Sequence, residues 1–188
     1  MQLEKREYKT YEFDELSEEA KEKAINDNYD INVDYGWYYD DPTLDLAEEY
    51  GLKVSLGEMC FDLDRGSYVY FDAKHDGSDH TAQIFVDDYK KFAKKAGIDL
   101  RKEKNLDGNI SIDCEHFAGS YGRNNIQVGS EVSMEAEKKL DEALKNFLED
   151  VLKALKENYE YRTATNSIED TLRANEYRFF ADGKMFDL

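Results

Sequence analysis

The 188-residue chain contains one proline, one tryptophan and only two cysteines. The two thiols, Cys60 and Cys114, are too few and too far apart to form the disulfide framework of a small secreted protein, so a reducing compartment is expected. No apolar stretch approaches the roughly 18 residues that a membrane-spanning helix needs, and the first residues lack the apolar core of a signal peptide. These absences predict a cytoplasmic protein.

Basic side chains are also scarce, with 25 Lys and Arg against 43 Asp and Glu and a formal net charge of −18. Residues 1–90 carry a net charge of −15 and residues 91–188 carry −3. This charge repels nucleic acids and anionic membranes, because binding to either relies on Lys and Arg. It attracts basic partners. The alternative interpretation is that the charge only keeps the protein soluble.

The pattern of apolar residues predicts an α+β fold. The chain is 40% hydrophobic, with 14 Tyr and 10 Phe, which is enough for a core, and its length favours a single domain over residues 1–188. Alternating polar and apolar residues predict strands over 7–13, 52–63, 67–73, 80–85, 109–116 and 124–129. We expect residues 52–85 to form an antiparallel meander, within one antiparallel sheet of about five to six strands.

Helical periodicity and capping residues predict helices over 17–29, 36–50, 88–96, 133–158 and 167–174. The helix over 133–158 has an apolar stripe too broad for a coiled-coil seam, which favours a core helix and a monomer. Ser167 and Asp170 have the spacing of a capping box at the start of the last helix. A hairpin that turns at Asp182–Gly183 is expected after it.

Thiols and imidazoles cluster in the predicted sheet. Cys114 and His116 are two residues apart on one strand, so their side chains are expected to share a face. Tetrahedral zinc needs four such ligands, and five candidates are present: Cys60, His75, His80, Cys114 and His116. A zinc site is one interpretation, and small core cysteines without a metal are the other.

Two weaker patterns concern oxygen ligands. Asp30, Asn32 and Asp34 alternate as in the start of a calcium-binding EF-hand loop, but the sharp-turn glycine is one position late, at Gly36. The sequence has no hydrolase, nucleotide-binding or dinucleotide-binding motif, so no catalytic residue is assigned. A nuclease-like enzyme that holds Mg²⁺ with carboxylates remains an alternative.

Acidic side chains are concentrated on the second predicted helix and the meander, and Tyr50, Tyr68 and Tyr70 lie among them. If they share a face, fixed carboxylates can enter a basic groove that normally holds DNA or RNA, with tyrosines as apolar anchors. The predicted partner-binding residues are Glu48, Glu49, Glu58, Asp62, Asp64, Asp72, Asp76 and Asp79.

Three segments carry a resemblance to a known family: FDELSEEAKEKA at 13–24, DINVD at 30–34 shortly before Trp37, and NEYRFFADGK at 175–184. Together they resemble a family of small acidic, uncharacterised proteins of bacteriophages and prophages. The resemblance implies an inhibitor of host defence, of the anti-CRISPR or anti-restriction kind that imitates DNA. It would act in the host bacterial cytoplasm on a Cas or restriction nuclease.

Overall fold

A computed structural model describes residues 7–34, 36–40, 42–64, 66–75, 80–116 and 122–186. The chain is an α+β protein, which confirms the predicted class. It divides into two compact units: unit 1 comprises residues 1–38 and 157–188, and unit 2 comprises residues 39–156. The expectation of a single domain stays a prediction.

Five α-helices and ten short strands make up the regular structure of the described residues. The helices are α1 (Glu18–Asp27), α2 (Thr43–Tyr50), α3 (Tyr89–Lys95), α4 (Met134–Thr163) and α5 (Thr165–Ala174). The strands are β1 (Tyr11–Glu12), β2 (Leu52–Val54), β3 (Met59–Asp62), β4 (Tyr68–Phe71), β5 (Ala73–His75), β6 (His80–Ala82), β7 (Ile84–Val86), β8 (Ile110–His116), β9 (Gly122–Val128) and β10 (Arg178–Phe179). No helix in the described part of the chain has both the length and the apolar character needed to cross a membrane.

Local capping signals correctly predict several helix ends. The Ser17 hydroxyl accepts a hydrogen bond from the Ala20 amide at the start of α1, and Asp88 caps α3. Gly51 ends α2 in the left-handed conformation, with φ 73°. The predicted capping box at Ser167 is wrong, because α4 continues to Thr163 and α5 begins directly after Ala164, two residues before Ser167.

Unit 1 is built around α1, α5 and the short β1–β10 ladder. Tyr11 pairs with Phe179 and Glu12 with Arg178, so only two residues of the predicted strand 7–13 are in the ladder. The predicted C-terminal hairpin is confirmed, since Phe180 and Lys184 bond across its turn. The buried core of this unit consists of Phe13, Leu16, Ala20, Ala24, Ile168, Leu172 and Phe179.

The predicted sheet of five to six strands is wrong for the described residues of unit 2. The strands form separate two-stranded antiparallel ladders, β2–β7, β3–β4, β5–β6 and β8–β9. The predicted strand 52–63 is interrupted by a 3-10 turn at Leu56–Glu58. The meander prediction holds for the β3–β4 and β5–β6 hairpins, but β2 pairs with β7 instead of β3.

The chain changes its strand partner at two single residues, Asp72 and Gln83. Asp72 lies between β4 and β5; its amide donates to the Glu58 carbonyl at 2.8 Å, and its carbonyl accepts from the Gln83 amide at 2.8 Å. Gln83 lies between β6 and β7, and its carbonyl accepts from the Ser55 amide at 2.9 Å. Each of these bonds continues the register of the neighbouring ladder by one residue. The chain therefore changes its pairing partner at Asp72 and again at Gln83.

A buried side chain takes the place of a backbone ladder between β4 and β9. The side-chain oxygen of Asn124 accepts a hydrogen bond from the backbone amide of Phe71, and its side-chain nitrogen donates one to the Phe71 carbonyl. Both bonds are 2.8 Å long. Asn124 is 3% exposed and Phe71 is fully buried. One side chain therefore satisfies both backbone groups of Phe71 on the edge of β4 that faces away from β3.

The apolar stripe of α4 lies in the core, as the sequence predicts. Phe147 packs against Tyr50 and Phe71, with ring centroids 5.4 and 6.3 Å apart. The buried residues of the stripe are Ala136, Leu140, Ala143, Leu144, Phe147, Val151 and Leu155.

Candidate interaction site on the β3–β4 hairpin

The β3–β4 hairpin has one acidic face and one apolar face. Alternate residues of a strand, and residues directly opposed in an antiparallel ladder, point to the same side. Met59 pairs with Phe71 on the apolar face, and both are buried. The other face of the ladder carries Cys60 and Asp62 opposite Tyr70 and Tyr68. Glu58, the last residue of the 3-10 turn, and Asp72, which follows β4, lie just beyond the ladder, where the Asp72 amide donates to the Glu58 carbonyl.

The hairpin turn holds the Asp62 carboxylate and the backbone of Asp64 in place. An oxygen of the Asp62 side chain accepts from the Asp64 amide at 2.8 Å, and the Ser67 amide donates to the Asp64 carbonyl at 3.0 Å. Gly66 provides the positive φ, 83°, that closes the turn. We call Glu58, Asp62, Asp64 and Asp72, together with Tyr68, the acidic hairpin. Its backbone is fixed by the β3–β4 ladder and by this turn.

The two tyrosines of this face differ in accessibility. Their rings stack at 5.9 Å with an interplanar angle of 29°. Tyr68 is half-buried, whereas Tyr70 is only 8% exposed. Of the three tyrosines that the sequence places among the acidic residues, Tyr50 and Tyr70 therefore pack in the core. Only Tyr68 has surface left for a partner.

The thiols next to the acidic hairpin lie in an environment that disfavours negative charge. Burial raises the pKa of Cys60. A hydrogen bond from Tyr70 lowers this pKa, and the negative charges of Asp72 and Glu58 raise it further. Burial and then Asp72 raise the pKa of Cys114 to about 11. Burial, together with the hydrogen bond to Cys60, raises the pKa of Tyr70 to about 12. Both thiols are therefore neutral at pH 7, beside carboxylates that make the local potential negative.

Gly122 allows the β8–β9 hairpin to approach this cluster. A Cβ atom at Gly122 would lie 2.6 Å from Tyr70 Cε2 and 3.1 Å from the sulfur of Cys114. Such distances leave no room for a side chain. The glycine thus lets Cys114 and Tyr70 pack at the same point, which brings the two cysteines of the sequence into one region of unit 2.

Of the five predicted zinc ligands, only the two cysteines have side chains within the described part of the structure. Cys60 and Cys114 are both reduced and half-buried. His116 is the last residue of β8, opposite Gly122 in the ladder, and His75 pairs with His80 at the ends of β5 and β6. The side chains of the three histidines lie outside the described part of the structure, and no metal-binding group of three or more His, Cys, Asp or Glu occurs within that part. The zinc site stays a prediction.

The structure does not place all eight predicted partner-binding residues together. Glu58, Asp62, Asp64 and Asp72 lie in the acidic hairpin. Glu48 and Glu49 lie on α2, which packs against β2 and α3, and Glu49 forms an ion pair with Lys95. Asp76 and Asp79 lie outside the described residues.

The uneven charge along the sequence is not carried over to the two units. Residues 157–188 fold with residues 1–38, so unit 1 has 18 acidic and 9 basic side chains and unit 2 has 25 and 16. Each unit therefore carries a net charge of −9. The acidic hairpin is distinguished by its arrangement and not by the total charge of the unit that contains it.

The segment with alternating oxygen ligands in unit 1 serves a structural purpose at Asn32. The Asn32 side-chain oxygen accepts from the Thr171 hydroxyl at 2.7 Å, and its nitrogen donates to the Arg162 carbonyl at 3.1 Å. These contacts tie residues 31–34 to α4 and α5, and they account for Asn32 without a calcium ion.

The chain matches no protein-family model, no curated protein and no solved structure at a significant level.

Proposed function

We propose that this chain is a binding protein that docks through the acidic hairpin on a basic, nucleic-acid-handling protein and blocks its groove. The observation that carries the proposal is the β3–β4 ladder, which holds Asp62 opposite the half-buried Tyr68 and has Glu58 and Asp72 at its other end. A Cas or restriction nuclease of a bacterial host is the proposed target, by the resemblance to small acidic bacteriophage and prophage proteins.

The geometry supports a docking role in two ways. Asp62 lies in the β3–β4 ladder opposite Tyr68, and Glu58 and Asp72 are joined by a backbone hydrogen bond just beyond the other end of that ladder. A basic groove would therefore meet negative charge at both ends of a fixed ladder without reorganising flexible loops. Burial is the main cause that raises the pKa of Cys60, and the charges of Asp72 and Glu58 raise it further, so both carboxylates act on this part of the hairpin. Complementary potential increases the association rate and selects a basic partner.

Tyr68 supplies the apolar contact that charge alone does not. Affinity at protein interfaces depends on a few well-packed anchors, with tyrosine among the most frequent. Tyr68 is opposite Asp62 in the ladder and stacks on the buried Tyr70. Its ring is therefore held in place before a partner arrives, which lowers the entropic cost of binding.

A nuclease-inhibition assay tests the proposal. Plasmid cleavage by a panel of RNA-guided and restriction nucleases is measured with increasing amounts of the chain. We expect inhibition of at least one nuclease, relief of that inhibition by added DNA, and a weaker effect as salt is raised. Neutralising the acidic hairpin with E58Q, D62N, D64N and D72N should weaken inhibition on the order of tenfold or more.

A matched control separates this site from general acidity. The variant E131Q/E137Q/E142Q/E149Q changes the net charge by the same amount, at exposed carboxylates of unit 2 outside the hairpin. It should inhibit as the unmodified chain does. Equal weakening by both variants would show that only total charge matters, and failure of the unmodified chain to inhibit any nuclease would refute the proposed target class.

A further inference from the structure

Unit 1 contains a cleft of about 520 Å³ that the proposed function does not use. It is bounded by residues 31–34, the last turns of α4 and the first turns of α5. Its volume is in the range of small-molecule sites, about 300–1,000 Å³. Most such sites are lined by apolar side chains. Among the described residues of the lining, Ile31 is the one aliphatic side chain, so the cleft is suited to a polar ligand.

Mutually bonded side chains fix the floor of the cleft. Arg162 donates to the Asn32 carbonyl at 3.0 Å and to the Asn158 side-chain oxygen at 2.9 Å. Asn32 donates back to the Arg162 carbonyl at 3.1 Å, and Thr171 donates to the Asn32 side chain at 2.7 Å. This network joins three segments of the unit. The cleft is therefore preformed, which reduces the ordering cost of binding.

Side chains with unused hydrogen-bonding capacity form the rim. In the described part of the chain, the side chains of Asp34, Tyr161, Asn166 and Ser167 make no hydrogen bond or ion pair, although all four line the cleft. Tyr161 is 71% exposed and presents an aromatic ring at the edge. Asn166 is one helical turn from Asp170, so their side chains are neighbours along the cleft.

The charges of the lining favour a neutral ligand. Asp34 and Asp170 disfavour an anion, and the permanently charged guanidinium of Arg162 disfavours a cation. Asp170 also has Arg173 within 3.8 Å. Carboxamide, carboxylate and hydroxyl groups together offer both donors and acceptors. Vicinal hydroxyl groups, each of them a donor and an acceptor, match such a set, and the C–H face of a sugar ring matches an exposed aromatic ring.

We propose that this cleft binds a neutral saccharide through hydrogen bonds with Asn166 and Ser167, through hydrogen bonds from sugar hydroxyls to the Asp170 carboxylate, and through stacking on Tyr161. The site is independent of the acidic hairpin, which lies in unit 2.

Titration of the ¹⁵N-labelled full chain tests the proposal. The probes are glucose, galactose, mannose, N-acetylglucosamine and neutral disaccharides of these sugars, with inorganic phosphate and spermidine as charged comparisons. We expect at least one neutral sugar to cause saturable amide shifts concentrated at residues 158–171. Tyr161→Ala and Asn166→Ala should each weaken that binding by about five- to tenfold.

Glu160→Ala is the matched control, because Glu160 is exposed beside Tyr161 but does not line the cleft. It should leave the affinity unchanged. The same spectra report whether each variant is folded. The proposal is overturned if no neutral sugar produces saturable shifts, if phosphate or spermidine binds the cleft in place of a sugar, or if the control weakens binding as much as Tyr161→Ala does.

Discussion

Replacing Asn124 tests the idea that one buried amide holds the edge of β4. In Asn124→Ala, the amide and carbonyl of Phe71 both lose a partner at 2.8 Å. Phe71 is fully buried, so water does not readily replace that partner. A buried backbone group without a partner costs about 1–3 kcal/mol. We expect a loss of about 3 kcal/mol from a total of about 5–15 kcal/mol.

Urea unfolding followed by far-UV circular dichroism measures this loss. With a slope of about 2 kcal/mol per molar urea, the midpoint should fall by about 1–2 M. Amide hydrogen exchange at Phe71 should accelerate as well. Asn125→Ala is the control: Asn125 is half-buried on the opposite face of β9, and its replacement should change stability by less than about 0.5 kcal/mol. Equal effects of the two variants would refute the reasoning.

Asn124→Asp adds a dependence on pH that a simple packing defect would not produce. Its carboxylate can still accept from the Phe71 amide, but its second oxygen would face the Phe71 carbonyl, which is an acceptor. Burial and this contact should raise the folded-state pKa of the new carboxyl above its unfolded value of about 3.9. The stability difference from the unmodified chain should be small below pH about 4 and grow as the pH rises through the folded-state pKa. A difference that is independent of pH would contradict the assigned contacts.

Two further predictions concern Gly183 and Cys114. Gly183 and Gly66 both have φ 83°, but a Cβ at Gly183 would lie 2.1 Å from the Ala20 carbonyl oxygen, whereas nothing lies within 4 Å at Gly66. In thermal unfolding, Gly66→Ala should therefore lower the free energy of unfolding only by the left-handed strain of about 1–2 kcal/mol. Gly183→Ala should lower it by clearly more, because its Cβ would also clash with the Ala20 backbone. Burial and then Asp72 raise the pKa of Cys114 from 9.0 to about 11. The thiol therefore loses its proton at a lower pH in the unfolded state than in the folded state. For this reason the free energy of unfolding should decline as the pH rises from 9 to 11. Asp72→Asn should lower that pKa and speed iodoacetamide labelling of Cys114 at pH 8, as measured by peptide mass spectrometry; an unchanged rate would argue against the assigned role of Asp72.

Helix ends could be predicted from the sequence because they depend on residues close in the chain. The cap at Ser17 needs only the amide of Ala20 three residues later, and the stop at Gly51 needs only the conformational freedom of glycine. Ser167 has an equally good local pattern, yet α5 begins earlier. The reason is tertiary: α4 extends to Thr163 and leaves a single residue, Ala164, between the helices.

Strand pairing could not be predicted in the same way because it depends on distant residues. The backbone hydrogen bonds at Asp72 and Gln83, where the chain changes its strand partner, join residues that are 11 to 28 positions apart in the sequence. Asn124 is 53 positions from Phe71, and a polar residue in an alternating strand has no local feature that reveals a buried contact. The β3–β4 hairpin is the exception, because its short turn fixes the register between Asp62 and Tyr68.

The short turn also explains how much of the candidate site the sequence contains. Once the turn pairs Asp62 with Tyr68, alternation alone places Cys60 opposite Tyr70 on the same side. Glu58 and Asp72 lie just beyond the ladder, where a backbone hydrogen bond joins them. The net charge contains less information, since both units carry −9 although the two halves of the sequence differ widely. Unit 1 concentrates this charge in 70 residues and unit 2 distributes it over 118. If acidity alone determined binding, unit 1 would be the stronger candidate, so an effect restricted to the acidic hairpin would distinguish a shaped docking face from a merely acidic protein.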